Sequence, residues 1–376
     1  MESPFVIEVF DKTFHREGWI GDPLAVSATP RHNAIGTCTF SVASDHRRLP
    51  ALAASGARCR IKYLDQHLLS GRVSLLGGKG PGLSGEVELT VEDDFRLLYS
   101  VLGWPVPTAS LTGQTVAYDT RTGPAESVAK AFVQANAINR LGLPVTNATD
   151  LGRGANVTVS LRMRPLADRL LPVIEPAGIG LTVRQEGAGL VVDAYEPVDY
   201  PRLLSEESGT VSDWKWSSAA PMATRVVAGL QGEATARTFY ALTDPARETE
   251  WGDKIEVFRD ARDIEDDPSL ANSRMQESLD EGAPTSGLSL TLSETRAFSY
   301  DPTGTTGVRV GDRVRIAVGP DVIVQDLLRE VTLTYTTEEG LSVTPVVGQR
   351  TDDPDRALAR TVAALARGFR NLTAGR

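Results

Sequence analysis

Along most of this chain apolar residues recur at every second position. In Gly307–Gly348 the alternation runs through Val308 and Val310, then Val314, Ile316 and Val318, and resumes at Val331, Leu333, Tyr335 and at Leu341, Val343. Period two puts one face against a core and the other in solvent, as half-buried antiparallel strands require. Gly311-Asp312 and Gly319-Pro320-Asp321 punctuate the runs, and Glu338-Glu339-Gly340 closes a hairpin. The pattern predicts a four- or five-stranded meander, curled into a small barrel.

Residues 5–104 carry the same period. "FVIEVFDKTF" alternates and turns at Asp11-Lys12; "PLAVSATPRHNAIGTCTFSVAS" holds two strands about a turn at Arg31–Asn33. "GARCRIKYLDQHLLSGRVSLLGG" reads as a hairpin turning at Asp65-Gln66, and "GEVELTVEDDFRLL" continues the alternation beyond a Gly-rich tip at Gly77–Gly85. A first small barrel is expected here, ending near Trp104-Pro105. Residues 105–205 change to helical spacing. Val128, Phe132 and Ala135 follow a start with Thr122 as cap, Pro124 in the first turn and Glu126 early. A second helix is expected over Pro165–Ala177, kinked or shortened by Pro172. A hairpin with Gly187–Gly189 at its turn completes a small α/β domain.

From 206 to 350 strands return, with a short amphipathic helix over Leu270–Glu281, as a second barrel with an inserted helix. Residues 351–376 form a C-terminal amphipathic helix, begun by Asp352 or Asp353 and Pro354. Its apolar stripe is Leu358, Val362, Leu365 and Phe369. That stripe docks either on its own domain or on a partner. The expected fold is therefore mainly β with an α+β insert: barrel domains over 1–104 and 206–350 flanking an α/β domain over 105–205.

Composition narrows the chemistry. A net charge of −10 disfavours a phosphate-neutralising surface. Two cysteines, Cys38 and Cys59, are too few for a disulfide scaffold. Each shares a strand face with apolar neighbours and reads as a buried thiol, with a disulfide between the strands as the competing arrangement. "MESPFVIEVF" lacks a basic n-region and a long apolar core, so no signal peptide is expected. No run reaches the length of a membrane span, and no membrane insertion is expected. The three Asn-X-Ser/Thr matches at Asn147, Asn156 and Asn371 carry meaning only with secretion.

Candidate motifs fail on context. Gly80-Pro-Gly82-Leu-Ser-Gly85 matches G-x-G-x-x-G, yet Pro81 sits inside it and a strand follows. Asp263, Glu265 and Asp267 have calcium-loop spacing, but Pro268 replaces the required glycine and Arg274 the closing glutamate. His15, His32, His46 and His67 are scattered among polar or turn residues without metal-ligand spacing. Trp214 and Trp216 fall on one strand face, as core or inter-domain packing. No catalytic, cofactor or metal residues are assigned.

One ordered series does resemble a known family. It comprises "VIEVFDKTFHREGWI", the Arg-His-Asn-x-x-Gly turn in "SATPRHNAIGTCTFSV", the Asp-Asp-hydrophobic stretch of "GEVELTVEDDFRLL", "SSAAPMATRVVAGLQGEATARTF", "EWGDKIEVFRDARDIED" and "VGDRVRIAV…REVTLTYTTEEGLSVTPVVG". Across residues 5–350 these resemble minor tail proteins that form the baseplate hub of actinobacterial siphophages, a fold shared with contractile-phage hubs and type VI secretion spikes. The resemblance implies a non-enzymatic structural protein of the virion tail tip. It further implies a homotrimer whose two barrels per subunit give pseudo-sixfold symmetry, set between a distal tail ring and tape measure protein on one side and tip or fibre proteins on the other. DNA would pass through the lumen unbound, repelled by the negative charge. The competing functions are a tail-tip cell-wall hydrolase and a host-glycan-binding receptor protein; in the hub reading those activities come from another protein.

Overall fold

The computed structural model describes residues 3–79, 85–265, 267–292, 295, 298–319 and 322–347. Among the described residues the chain divides into two compact units, one running to Trp214 and resuming at Leu290, the other Lys215–Ser289. The sequence-based boundaries at 104/105 and 205/206 both lie in the first. The C-terminal helix expected over 351–376, with Leu358, Val362, Leu365 and Phe369, lies outside the described residues, as does the Gly80–Ser84 part of the tip. No helix among the described residues is long and apolar enough to cross a membrane.

Seven strands open the first unit: β1 (Phe5–Phe10), β2 (Arg16–Ile20), β3 (Ala25–Thr29), β4 (Thr37–Ala43), β5 (Arg58–Tyr63), β6 (Gln66–Lys79) and β7 (Glu86–Asp93), with a short helix α1 (Leu49–Leu52) before β5. Their order is β3-β4-β7-β6-β5-β1-β2, all antiparallel. The alternating residues Phe5, Ile7, Val9, Cys38, Phe40, Cys59 and Ile61 are buried. The β1–β2 turn is held by Asp11, whose Oδ1 accepts from Thr13 N, Thr13 Oγ1 and His15 N at 2.7–2.9 Å. The β5–β6 turn sits on Leu64 and Asp65, both in the left-handed region, one residue before the expected Asp65-Gln66. This is the geometry a two-residue hairpin needs to match strand twist.

Next come α2 (Leu97–Ser100), β8 (Leu102–Gly103), β9 (Asp119–Pro124), α3 (Ala125–Val133) with a π-helical extension Gln134–Arg140, β10 (Val145–Asn147), β11 (Asn156–Leu161), β12 (Arg164–Pro165), α4 (Leu166–Ile174), β13 (Gly180–Glu186) and β14 (Gly189–Tyr195). Phe132, Leu166, Leu170, Leu181 and Val192 meet in one core. Thr122 does not cap α3. It lies within β9 opposite Thr158, and α3 starts without a side-chain cap. Its first amides donate instead to carbonyls of the adjacent chain, Ala125 N to Ala155 O and Glu126 N to Arg153 O, both 3.1 Å, which meets the demand a cap would meet. Pro172 lies inside α4, near its end.

Then follow β15 (Asp199–Leu204) and β16 (Val211–Ala219), which carries Trp214 and Trp216, and the second unit. There β17 (Arg225–Gly229) lies between β18 (Phe239–Thr243) and β19 (Glu256–Asp260), with α5 (Pro245–Trp251) and α6 (Pro268–Glu281). Both helices begin Asp-Pro: Asp244 accepts from Arg247 N at 3.0 Å and Asp267 from Leu270 N at 3.1 Å. Met275 and Leu279 of α6 pack on Val226 and Ala228. The chain re-enters the first unit along β20 (Thr285–Leu292), followed by β21 (Arg313–Gly319), β22 (Val322–Thr336) and β23 (Gly340–Val347). The last three form an antiparallel meander of three strands in place of the four or five expected, hairpin Thr336–Gly340 included. Val308 forms only an isolated bridge with Tyr300.

Two strand groups of the large sheet repeat one plan. In sequence and in sheet order, β3, β4, β5, β6 and β7 correspond to β16, β20, β21, β22 and β23. Each plan turns on a long strand that exchanges partners midway. β6 pairs with β5 up to Arg72 and with β7 through Lys79; β22 pairs with β21 up to Leu327 and with β23 from Leu328. At the exchange Val73 N donates to Ala57 O (3.0 Å) and Leu328 N to Asp312 O (2.8 Å). A register shift follows each, at Val73/Leu75 and Leu328/Glu330. The groups are joined edge to edge by β22–β3. The expected closed barrels are not found: among the described residues the order is an open path, because each group hydrogen-bonds onward instead of back upon itself.

Candidate functional site

The first unit contains a cleft of about 360 Å³ between β6, β13 and the loop before β21. Its polar lining comprises Arg31, Gln66, His67, Asp93, Thr182, Arg184, Tyr195, Thr303 and Arg309. Most of the charges are already engaged. Arg31 pairs with Glu330 at 2.7 Å, Arg184 with Glu186 at 2.5 Å and Arg309 with Asp312 at 3.1 Å. Burial, with Arg184 and Arg60 nearby, lowers His67 to about 4, so it is neutral. Burial pushes the Asp93 carboxyl well up, and its Oδ1 accepts from Phe95 N.

Behind the cleft lies a buried polar junction. His32, 5% exposed, has Tyr195 Oη 2.5 Å from Nδ1 and Asn33 Nδ2 3.0 Å from Nε2. Asn33 Oδ1 accepts from Leu181 N at 2.9 Å, and Glu175 accepts from Arg329 at 2.7 Å while standing 3.8 Å from His32 Nε2. Burial, reinforced by Arg329 against the pull of Glu175, lowers His32 to about 4; burial raises the Tyr195 phenol. A neutral imidazole beside a protonated phenol is held by hydrogen bonds. Next to it Arg58 NH2 reaches both oxygens of Asp94 at 2.6 Å and Nε donates to Gln185 Oε1, while Ser70 Oγ donates to Asp94 and accepts from Gln185 N. Burial raises Asp94, and Arg58 is the charge that opposes this.

Three of the sequence segments that carried the family resemblance converge here. Arg31-His32-Asn33 supplies the first network, Asp93-Asp94-Phe95 the second, and Gly311-Asp312 the edge. Gly36 keeps the first turn tight: an added Cβ would lie 3.0 Å from Thr29 O and 3.1 Å from Asp93 Oδ2. Gly311, at φ +97°, lies under Tyr195, whose hydroxyl would be 2.1 Å from an added Cβ. Asp312 accepts from Val198 N and from Arg309, whose guanidinium sits over the Tyr195 ring at 4.8 Å. By sequence alone these segments carry only the family resemblance, and His32 is one of four scattered histidines. Its partner Tyr195 is 163 residues away, beyond any local pattern.

The remaining candidates resolve individually. Cys38 and Cys59 are buried free thiols; burial pushes Cys59 up to about 12 and raises Cys38 as well, so neither is a thiolate at neutral pH. Asp263 pairs with Arg274 at 2.7 Å and Asp267 caps α6, so the calcium-like spacing serves a helix start. Asp11, His15 and Glu17 bring three potential ligand atoms within 4.8 Å, but Asp11 Oδ1 already accepts three hydrogen bonds and the group is largely exposed. The cleft supplies one carboxylate, Asp93, where glycoside hydrolysis uses two.

The profile of the Siphovirus ReqiPepy6 Gp37-like protein family matches residues 6–349. No curated protein is significantly similar in sequence. Among solved structures, the 43 kDa tail protein of prophage MuSo2 from Shewanella oneidensis is 14% identical at a TM-score of 0.53, covering 93% of this chain and 98% of its own. A tail protein from Neisseria meningitidis MC58 is 13% identical at 0.50, with coverages of 92% and 97%. An E. coli component of the type VI secretion system gives 9% and 0.39, covering 88% of this chain and 74% of its own.

Proposed function

The chain belongs to the Siphovirus ReqiPepy6 Gp37-like protein family of phage tail proteins, and we propose that it is a structural hub at the tail tip, assembling as a homotrimeric ring around the DNA exit channel. The observation that carries this reading is the doubled strand plan within one chain. Three copies of a doubled module present six similar surfaces, which adapts a sixfold tube to a threefold tip. The two strand groups are the hub modules, and the α/β element locked to them by the His32 and Arg58 networks is the spacer. A net charge of −10 suits a lumen that passes phosphate without binding it. On this reading the partners are the distal tail ring and tape measure protein on one side and tip or fibre proteins on the other, with no catalytic role for the chain.

Light scattering with electron microscopy of the purified chain tests this. A mass of three subunits and a threefold ring with six lobes is expected; a ring of another number overturns the reading. The stripe Leu358, Val362, Leu365, Phe369 is proposed to act at the same assembly. Val362→Asp with Leu365→Asp abolishes the trimer if the stripe forms a threefold bundle, and lowers only the melting temperature if it docks on its own copy.

A further inference from the structure

The repeat has one unequal feature. The edge of β22 that pairs first with β21 continues into β3, with Leu333, Thr334, Tyr335 and Thr336 opposite Ala28, Ser27, Val26 and Ala25 and a further bridge between Glu330 and Arg31. The corresponding edge of β6 pairs with β5 only as far as Arg72. Beyond Val73, among the described residues, no strand lies against it. β16, the counterpart of β3, is likewise a terminal strand of the sheet order, with β20 on one side and, among the described residues, no strand on the other. Within the chain, then, the first group contributes its β3 and the second its β22. The two edges left over, β6 and β16, are the same pair with the groups exchanged.

We infer that β16 of one copy adds to the free edge of β6 in the next, repeating between subunits the β3–β22 contact made within each. The two halves of such a contact are different surfaces, so it propagates head to tail and forms a ring where the rotation closes. Only the number of copies rests on the hub reading above. Correspondence sets the pairing: Val73 matches Leu328, so Leu75 takes the place of Glu330, and Gly78 and Lys79 those of Leu333 and Thr334. On β22 the amides of Val331 and Thr337 donate to Pro30 O and Leu24 O, both 3.4 Å, and Arg329 O accepts from His32 N at 2.8 Å. Odd positions therefore face β3, and the matching outward amides on β6 are those of Leu76 and Gly78. Between Arg72 and Lys79 the edge carries neither of two common protections against pairing, a charge or a proline. Leu75 and Leu76 are 64% and 42% exposed, Gly77 faces open space, and no charge intervenes between Arg72 and Lys79. Its register shift is no blunting device, since β22 has the same shift and is paired just beyond it.

Hydrogen exchange of the full chain, below and above the concentration at which it associates, tests the inference. Amides of Leu75–Lys79 and Val211–Ala219 are expected to gain protection together on assembly. Gly78→Pro, which removes an outward amide where an edge strand tolerates proline, is expected to raise the dissociation constant about tenfold with the monomer's melting temperature unchanged; Leu111→Glu, on an exposed residue elsewhere, changes neither. A trimer whose two segments exchange as in the monomer overturns this contact and leaves the hub reading standing. Joint protection in an assembly of other than three copies supports the contact and overturns the threefold reading. A chain that stays monomeric at every concentration overturns both. The exchange measurement on the unaltered chain decides even if the proline variant fails to fold.

Discussion

The two units use the same residue types for ion pairs to opposite effect. In the first, Arg58 and Asp94 are 2% and 6% exposed, and Glu126 is fully buried between Lys130 (2.6 Å) and Arg153 (2.8 Å), both of which also reach Asp193. In the second, Asp263 opposite Arg274 is largely exposed, and Arg225 with Glu248 sits at the rim of its sheet. Water can replace the partner of the exposed Asp263 and cannot replace that of the buried Glu126 or Asp94. Burial of the surviving group decides what a pair contributes; the number of pairs does not.

Four substitutions sharpen the contrast. The largest loss is expected for Glu126→Leu, which strands Lys130 and Arg153 around a single carboxylate. Despite burial, hydrogen bonds from Arg153 and Lys130 hold the Glu126 carboxyl far below its ordinary range, and the variant should lose about 4 kcal/mol in urea unfolding of the first unit. Arg58→Leu comes next, at about 3 kcal/mol, because Asp94 is left buried but can take up a proton. Adding Asp94→Leu should restore part of that loss; a double variant no better than the single would mean that Arg58 acts instead through its hydrogen bond to Gln185 and through the Phe14 ring, 4.5 Å from its guanidinium.

The third concerns pH. His32 has a folded value near 4 against an ordinary 6.5, so the unfolded chain takes the proton first. Its contribution is complete above about pH 6.5 and is lost as pH falls towards 4, about 3 kcal/mol in all. His67 acts in the same direction, whereas Asp93 and Asp94, raised by burial, act in the opposite one. The readout is therefore the difference in stability between the unaltered chain and His32→Gln across pH 4–7, which should shrink as pH falls. The smallest effect is expected for Asp263→Asn in the second unit, within about 0.5 kcal/mol, with no change in melting on adding calcium.

Strand content was legible because period two survives wherever one face is buried: the meander around Val314, Ile316, Val331 and Leu333 needed nothing else. The start of α3 was misread for the converse reason. Thr122 and Pro124 match a capping pattern, but the carbonyls of Arg153 and Ala155 meet the helix amides, and that supply comes from the tertiary structure. The second unit was invisible as a separate body because its strands alternate like those on either side. The junction was legible only as a family resemblance. His32, Asp94 and Asp312 are single polar residues in turns, and what they do is set by Tyr195, Arg58 and Val198, which the sequence does not place beside them.

The route of the chain into and out of the second unit has a consequence for engineering. It leaves along β16 and returns along β20, which are neighbours in the sheet order, where β3 and β4 are linked by the short Arg31–Gly36 turn. Adjacent strands lie about 4.8 Å apart, and between these two the chain runs through an entire folded body where β3 and β4 have a loop. Such a position accepts cargo. Exchanging residues 220–284 for a few turn residues, or for another small domain with closely spaced termini, should leave the two strand groups intact and make this protein a scaffold for display.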